Sequence, residues 1–200
     1  GTVIIVTHNS SDTIVKCLNS LKQSAEQGSF LTIVVDNCSR DNTVELIEKE
    51  YQWVHLIKSA QNGGFGAANN QGIASSEGDW ILLLNPDASI GINSISTLTD
   101  KLKMEESIGI VAPCVTDVNG FKTISYFPFL NFWTSMWIAL GMQKVIPINK
   151  LDGRWKVSRT PIKFNTKVDR VIGAAMMIKT TALNEVGVFD TRYFLFSEEE

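Results

Sequence analysis

The sequence predicts an α/β fold built on a mostly parallel central sheet with helices on both faces. Three observations predict it. Short apolar runs, Val3-Ile4-Ile5-Val6, Leu31-Thr32-Ile33-Val34-Val35 and Trp80-Ile81-Leu82-Leu83-Leu84, read as strands buried on both faces. Between them lie segments whose apolar residues recur at helical spacing, so strand and helix alternate and right-handed crossovers make the neighbours parallel. Each run also stops at a polar cluster: Thr7-His8-Asn9, Asp36-Asn37 and Asn85-Pro86-Asp87. In an open α/β sheet such carboxyl ends converge on one crevice.

The elements follow in order. After the first strand, Ser11 or Asp12 is placed to cap a helix. Ile14, Cys17, Leu18 and Leu21 give that helix one apolar face at i, i+3, i+4, i+7. The second strand covers 31–35. Asp41 or Thr43 caps a helix carrying Val44, Ile47 and Tyr51, and residues 53–58 form a third strand. Asn62-Gly63-Gly64-Phe65-Gly66 leads into a small-residue helix at 67–74, and the fourth strand ends at Pro86, which has no N–H for the ladder. Ile95, Leu98 and Leu102 mark a further helix and Ile110-Val111 a further strand. Asp117-Val118-Asn119-Gly120 is a hairpin turn with Asn-Gly at its tip. Phe129, Phe132, Trp133, Met136, Trp137 and Leu140 fit a helical stripe within 127–142. Residues 144–167 read as a cationic loop, 168–179 as strand around Gly173-Ala174-Ala175, and 180–185 as a short helix stopped by Gly187.

Composition limits the function classes. Two hundred residues, 44% hydrophobic and 20% charged, suit one domain with a sizeable core. A net charge of −3 argues against nucleic acid as a partner. Cys17, Cys38 and Cys114 form neither a disulfide framework nor a zinc pattern, so each is expected to be a small buried hydrophobe in a reducing compartment. The run at 2–6 is too short for a secretory h-region, and 127–142 is shorter than the roughly 20 residues that span a bilayer. The ending on Glu198-Glu199-Glu200, just after a strand-like run, predicts that the natural protein continues.

Several groups are candidates for chemistry, each with a plainer alternative. Asp87 is a helix cap, a turn residue or a metal ligand. Asp36 either accepts from a nucleobase or bonds its own turn. Gly64-Phe65-Gly66-Ala67-Ala68-Asn69 is not a dinucleotide fingerprint, because it follows the third strand and Asn69 replaces the third glycine. Its glycines serve close approach to a ligand or tight packing of the next helix. His8 and His55 have no Cys, Ser or acid spaced to form a triad and read as structural. Glu198 and Glu199 are either a solvated acidic stretch or a source of a general base.

Six motifs in this order resemble one family. They are Val3-Ile4-Ile5-Val6-Thr7-His8-Asn9-Ser10; Val34-Val35-Asp36-Asn37-Cys38-Ser39-Arg40-Asp41; Asn62-Gly63-Gly64-Phe65-Gly66-Ala67-Ala68-Asn69-Asn70-Gln71-Gly72; and Leu83-Leu84-Asn85-Pro86-Asp87-Ala88. Late in the chain come Val171-Ile172-Gly173-Ala174-Ala175-Met176-Met177-Ile178-Lys179 and Gly187-Val188-Phe189-Asp190-Thr191-Arg192-Tyr193-Phe194-Leu195-Phe196-Ser197-Glu198-Glu199. The chain resembles the family 2 inverting glycosyltransferases of GT-A fold, and within them the rhamnosyltransferase-like enzymes of bacterial surface polysaccharide assembly.

The resemblance implies a nucleotide-diphosphate sugar donor, dTDP-rhamnose or a UDP-sugar, and a saccharide acceptor, free or lipid-linked. It puts Thr7, Asn9 and Asp36 at the nucleoside, Asn62 and Gly63 by the nucleotide, and Asn85 on the donor. Asn85 and Asp87 stand at the two ends of the family's Asp-x-Asp motif, which implies a divalent metal, Mg or Mn, on Asp87. Glu199 falls at the family's base, where aspartate is common, and Gly173 and Ala174 on the acceptor side. The implied organisation is one domain, with a nucleotide-sugar-binding half at 1–125 and an acceptor-side half at 126–200. The implied setting is cytoplasmic, with peripheral contact at the inner membrane through the aromatic and cationic segments; a core helix followed by a solvated loop is the plainer reading of those segments. Two other functions compete. A sugar nucleotidyltransferase would want a basic glycine-rich loop after the first strand, which Thr7-His8-Asn9-Ser10-Ser11 lacks. A non-catalytic nucleotide-sugar or glycan-binding module would bind without turnover.

Overall fold

The first strand, β1 (Thr2–Thr7), lies at the centre of the sheet. The computed structural model describes residues 1–26, 28–123, 125–127, 136, 140 and 166–194. These belong to two units, one formed by Gly1–Pro113 with Gly173–Glu200, the other by Cys114–Ile172. The first unit adds α1 (Ile14–Ala25), β2 (Leu31–Asp36), α2 (Thr43–Glu50), β3 (His55–Lys58), α3 (Phe65–Ala74), β4 (Trp80–Leu84), α4 (Ser94–Met104) and β5 (Ile110–Val111).

The second unit holds a hairpin closed by the Thr116–Lys122 bridge. At its tip Asp117 Oδ1 accepts from the Asn119 and Phe121 amides, each at 2.9 Å. The strands β6 (Tyr126–Phe127) and β7 (Arg170–Val171) pair antiparallel in the same unit. Back in the first unit come β8 (Ala175–Lys179) and α5 (Thr180–Val186).

The main sheet runs β3-β2-β1-β4-β8-β5. β1 pairs parallel with β2 from Thr2↔Leu31 to Thr7↔Asp36, and parallel with β4. The order therefore reverses at β1, with β2 and β3 to one side and β4 to the other, which is where such sheets place their ligand crevice. β8 is antiparallel to β4 and to β5, so the sheet is mixed but mostly parallel. The strand expected over 168–179 is in fact two. β7 and β8 lie in different units, and Gly173-Ala174 forms the turn before β8.

Side chains alternate between two apolar layers. Val3, Ile5, Val34, Leu82 and Leu84 face the buried Ile14, Cys17, Leu18 and Leu21 of α1, with Ile47 of α2 and Ile95, Leu98 and Leu102 of α4. Each such residue, fully buried, is worth about 1.5–3 kcal/mol, far more than the helix caps contribute. α3 covers the other face, where a Cβ on Gly72 would stand 2.5 Å from the Ile4 side chain. Packing, not capping, thus holds the helices.

The caps differ from expectation. α1 has no side-chain cap; the Ser10 carbonyl accepts from the Thr13 and Ile14 amides at 3.1 and 3.0 Å instead. α2 begins after Asn42, also without a side-chain cap, yet Asp41 Oδ1 accepts from the Thr43 amide and Oδ2 from the Ser11 amide, both at 3.1 Å. Burial acts to raise the Asp41 pKa, but these bonds and that from the Thr43 hydroxyl outweigh it and bring the pKa to about 2. Folding therefore favours the ionised form. Its contribution is present above the usual carboxylate pKa near 4 and is lost as pH falls through about 2. Asp41→Ala, which removes these bonds, should cost about 1 kcal/mol at neutral pH. Urea unfolding of both proteins should show that difference shrinking as the pH is lowered through this window.

Two further expectations are corrected. Trp53 is 39% exposed and precedes β3 rather than starting it, because the Val54 amide donates to the Tyr51 carbonyl and closes a turn. Cys17 is buried as expected, but Cys38 is only half-buried and Cys114 is exposed; all three are free. Cys38 and Cys114 lie in loops, outside the apolar layers. Among the described residues no helix is long and apolar enough to cross a membrane. The expected stripe at 127–142 and cationic loop at 144–167 lie almost wholly outside the described residues.

Candidate active site at the carboxyl ends of the sheet

The register places Thr7 beside Asp36 and ends β4 at Leu84. Asp36 is only 2% exposed, and its carboxylate is tightly held. Oδ1 accepts from the Thr7 hydroxyl at 2.9 Å and from the Ser39 hydroxyl, and Oδ2 from the Ser39 amide at 2.9 Å. Oδ2 keeps acceptor capacity, since a carboxylate offers about four lone-pair sites. Asp36 thus bonds its own turn, with two bonds to Oδ1 and one to Oδ2.

The loops after β1 and β2 are sewn together. The Asn37 amide donates to the Thr7 carbonyl at 2.7 Å and the Asn9 amide to the Ser39 hydroxyl at 2.8 Å. The Arg40 amide donates to Asn9 Oδ1 at 2.8 Å, and the Ser10 amide to Thr43 Oγ1 at 2.9 Å. Asn9 and Cys38 sit at φ 53° and 64°, a left-handed conformation that asparagine tolerates and cysteine takes at a cost. His8 donates from Nδ1 to the Asn37 carbonyl at 2.9 Å, which leaves Nε2 as an acceptor facing Asn9 Nδ2 at 3.4 Å. That fits the structural histidine expected there.

Asn37, which motif reading did not single out, ties this pair of loops to the next. It is 3% exposed. Its Nδ2 donates to Asn62 Oδ1 at 2.8 Å and to the Gly64 carbonyl at 3.1 Å, while its Oδ1 accepts from the Gly63 amide at 3.0 Å. Asn62 Oδ1 also accepts from the Gly64 amide at 3.0 Å. One buried amide thereby fixes the loop that carries Asn62 and Gly63. Only its place in the polar turn after a strand marked it in the sequence.

On the other side of β1, the Asn85 amide donates to the Ala174 carbonyl at 3.0 Å, and the Asn85 carbonyl accepts from the Cys17 thiol at 3.6 Å. Ala174 therefore borders Asn85, and Gly173 precedes it in the same turn. Burial, and then the charge of Asp87, push the Cys17 thiol up to about 12. Asp87 itself is exposed, and no described residue bonds its carboxylate. A free carboxylate just past a sheet strand suits a hard divalent ion that takes one or two protein carboxylates and fills its shell with water and phosphate oxygens. Among the described residues no group of three acids, histidines or cysteines forms a closed metal cage.

The segment before Glu199 docks on α3. Asn70 pairs with the Phe189 backbone, and the Phe65 amide donates to the Phe194 carbonyl at 3.0 Å. Gly64 makes room for that approach, because a Cβ there would lie 2.3 Å from the Phe194 carbonyl oxygen. Glu199 lies outside the described residues. Of the described site residues, Thr7 and Asp36 are the last residues of β1 and β2, Asn9, Asn62, Gly63, Asn85 and Asp87 fall on loops at the carboxyl ends of β1, β3 and β4, and Gly173 and Ala174 on the turn that leads into β8.

The profile of glycosyl transferase family 2 matches residues 2–184. The chain belongs to that family and is a family 2 glycosyltransferase. A Mycobacterium tuberculosis N-acetylglucosaminyl-diphospho-decaprenol L-rhamnosyltransferase is 27% identical over 212 aligned residues, covering 98% of this chain and 67% of that one. The Staphylococcus aureus TarS fragment 1–349 superposes with TM-score 0.63 at 20% identity over 99% of this chain and 52% of that one. With UDP-GlcNAc bound, the TarS fragment matches at 29% identity and TM-score 0.51 over 60% of this chain and 35% of that one. The Pyrobaculum calidifontis mannosyltransferase PcManGT, solved with GDP-Man and Mn²⁺, gives TM-score 0.62 at 18% identity, covering 95% of this chain and 47% of that one. The fold expected from the sequence is thus the observed one, GT-A. The chain spans about half the length of these solved neighbours.

Proposed function

We propose that the protein moves a sugar, with inversion, from a nucleotide-diphosphate donor to a saccharide acceptor in bacterial surface polysaccharide synthesis. The observation that carries this reading is the meeting of three polar strand ends at the reversal of strand order, with the Asp87 carboxylate exposed beside them and unbonded among the described residues. Asp36, Thr7 and Asn9 hold the nucleoside, and Asn62, Gly63 and Asn85 the nucleotide and diphosphate. Gly173 and Ala174 border the acceptor. A divalent ion on Asp87, Mg²⁺ or Mn²⁺, supplies positive charge to the leaving diphosphate. Family membership supports the donor class, and the Mn²⁺ in the PcManGT structure supports the ion.

The step is a single displacement. Glu199 takes the proton of the acceptor hydroxyl, the oxygen bonds the anomeric carbon, and the bond to diphosphate oxygen breaks with its electrons. The donor we favour is dTDP-rhamnose, with a UDP-sugar second. The acceptor is lipid-linked, met at the cytoplasmic face of the inner membrane. The M. tuberculosis relative, named for a lipid-diphosphate acceptor and for rhamnose transfer, supports both choices.

The test is release of nucleoside diphosphate from dTDP-rhamnose and from UDP-N-acetylglucosamine, with a polyprenyl-diphospho-N-acetylglucosamine acceptor. Turnover that needs both metal and acceptor is expected. Glu199→Gln should lower kcat on the order of 100-fold or more, the scale of general base catalysis, with donor binding intact. Binding without release under every condition would favour the non-catalytic module instead.

A further inference from the structure

Helix α1 does more than bury its apolar face: three of its side chains hold the loop after β4. Cys17, Ser20 and Ser24 recur at i, i+3 and i+7, so they lie in one row of the helix. The Cys17 thiol donates to the Asn85 carbonyl at 3.6 Å. The Ser20 hydroxyl donates to the Cys17 carbonyl at 2.7 Å, and its oxygen accepts from the Ile90 amide at 3.0 Å. Ser24 shares its proton between the Ser20 carbonyl at 3.1 Å and the Gly91 carbonyl at 3.4 Å.

Between Asn85 and Ile90 the loop is a short arch. The Ala88 amide donates to the Asn85 carbonyl at 3.1 Å, which closes Asn85-Pro86-Asp87-Ala88 as a β-turn with proline in its second position. Pro86 fixes its own φ and stiffens that turn. The start of the arch is held by the end of β4 and by the Asn85–Ala174 bond. Its return is held where the Ile90 amide meets Ser20. The Ile90 side chain is buried too, but apolar packing is non-directional and does not place a backbone amide as a hydrogen bond does. Asp87 stands between the two ends with its carboxylate exposed.

We infer that Ser20 is a positioning residue for the turn that carries Asp87. By holding the Ile90 amide it sets where the carboxylate is presented to the ion and the donor diphosphate. This rests on the role proposed above for Asp87.

The test uses the full-length enzyme, Mn²⁺ as the ion, and dTDP or UDP, whichever matches the donor that gives turnover. Ser20→Ala keeps a strong helix former in α1, and thermal unfolding checks that the fold survives. Mn²⁺ binding to the protein–nucleotide complex is read from the EPR signal of free Mn²⁺, corrected for Mn²⁺ on free nucleotide. It should weaken on the order of 10-fold, the lower end of what partners that orient a metal ligand are worth. Metal-free nucleotide binding, and kcat at saturating Mn²⁺, should stay within about twofold of wild type, since only the affinity for the ion is altered. A merely structural serine would lower the unfolding temperature and leave the Mn²⁺ affinity alone. Ser20→Thr keeps a hydroxyl that bonds the preceding turn of a helix, and should restore the affinity. Added to Asp87→Asn, Ser20→Ala should weaken Mn²⁺ binding no further, because both act through one carboxylate. Should Ser20→Ala unfold, Ser20→Cys gives the same reading, because a thiol is a weak acceptor of similar shape. Wild-type Mn²⁺ affinity in a folded Ser20→Ala or Ser20→Cys protein would overturn the inference. So would an equal loss of metal-free nucleotide binding, a kcat loss that saturating Mn²⁺ does not correct, no rescue by threonine, or full additivity with Asp87→Asn. If Asp87→Asn weakens Mn²⁺ binding and Ser20→Ala does not, the positioning role alone fails. Wild-type Mn²⁺ binding in Asp87→Asn removes the metal assignment and this inference with it.

Discussion

Gly64→Ala should cost the fold about 2–4 kcal/mol, from backbone strain plus lost hydrogen bonds, and should weaken donor binding as well. Gly64 sits at φ 87° and ψ 174°, a region that essentially only glycine occupies. A Cβ there would also meet the Phe194 carbonyl oxygen at 2.3 Å and two more Phe194 backbone atoms at 3.0 Å. Backbone cannot swing aside like the end of a flexible side chain. Relief comes by one of two movements. Either Phe194 retreats and the Phe65–Phe194 bond is lost, or the Gly64 turn shifts and releases Asn37 and Asn62. The first uncouples the segment leading to Glu199, and the second loosens the nucleotide loop. Denaturant unfolding in parallel with nucleoside diphosphate titration separates them. Gly63→Ala is the control for stability, because its Cβ meets only the Ala67 Cβ at 3.3 Å and its backbone is not left-handed. Equal stability loss at the two positions would mean that the Phe194 approach is not what requires glycine.

The strands and helices that hold this site could be read from local pattern, and the reason is burial. β1, β2 and β4 are apolar almost throughout because both faces are covered, and α1 and α4 bury the very residues their spacing marks. Strand ends were legible as well, since polar clusters and Pro86 break those runs. Pairing direction was not. β8 enters antiparallel between β4 and β5, and nothing in Ala175-Met176-Met177-Ile178 separates an antiparallel insertion from one more parallel strand. The break at Gly173-Ala174 was hidden for the same reason, because apolar character continues on both sides of it. The bracing roles of Asn37 and Asn70 were hidden for another reason. An amide's partners are set by tertiary approach, across 25 to 27 residues for Asn37 and 119 for Asn70, and periodicity carries no trace of them. The resemblance to a family named Thr7, Asn9, Asp36 and Asp87, whereas the amides that brace their loops had to be found in three dimensions.

Asp87→Asn should leave the fold untouched and still remove most metal-dependent turnover. The carboxylate is exposed and unbonded among the described residues, so losing its charge should change stability by less than about 0.5 kcal/mol. Asp36 is the contrast: it is 2% exposed and accepts from Thr7 and Ser39, so structure and function cannot be separated there. At Asp87 they can. If the ion neutralises the leaving diphosphate, it is worth several kcal/mol in the transition state. At 1.36 kcal/mol per decade, its loss lowers kcat on the order of 100- to 1,000-fold. Asparagine keeps the shape and one oxygen but not the charge that a hard cation prefers. Raising Mg²⁺ or Mn²⁺ should therefore recover part of the activity, with a midpoint far above that of the wild type. Wild-type turnover with an unchanged metal midpoint, in a variant that unfolds at the wild-type temperature, would take the metal away from Asp87.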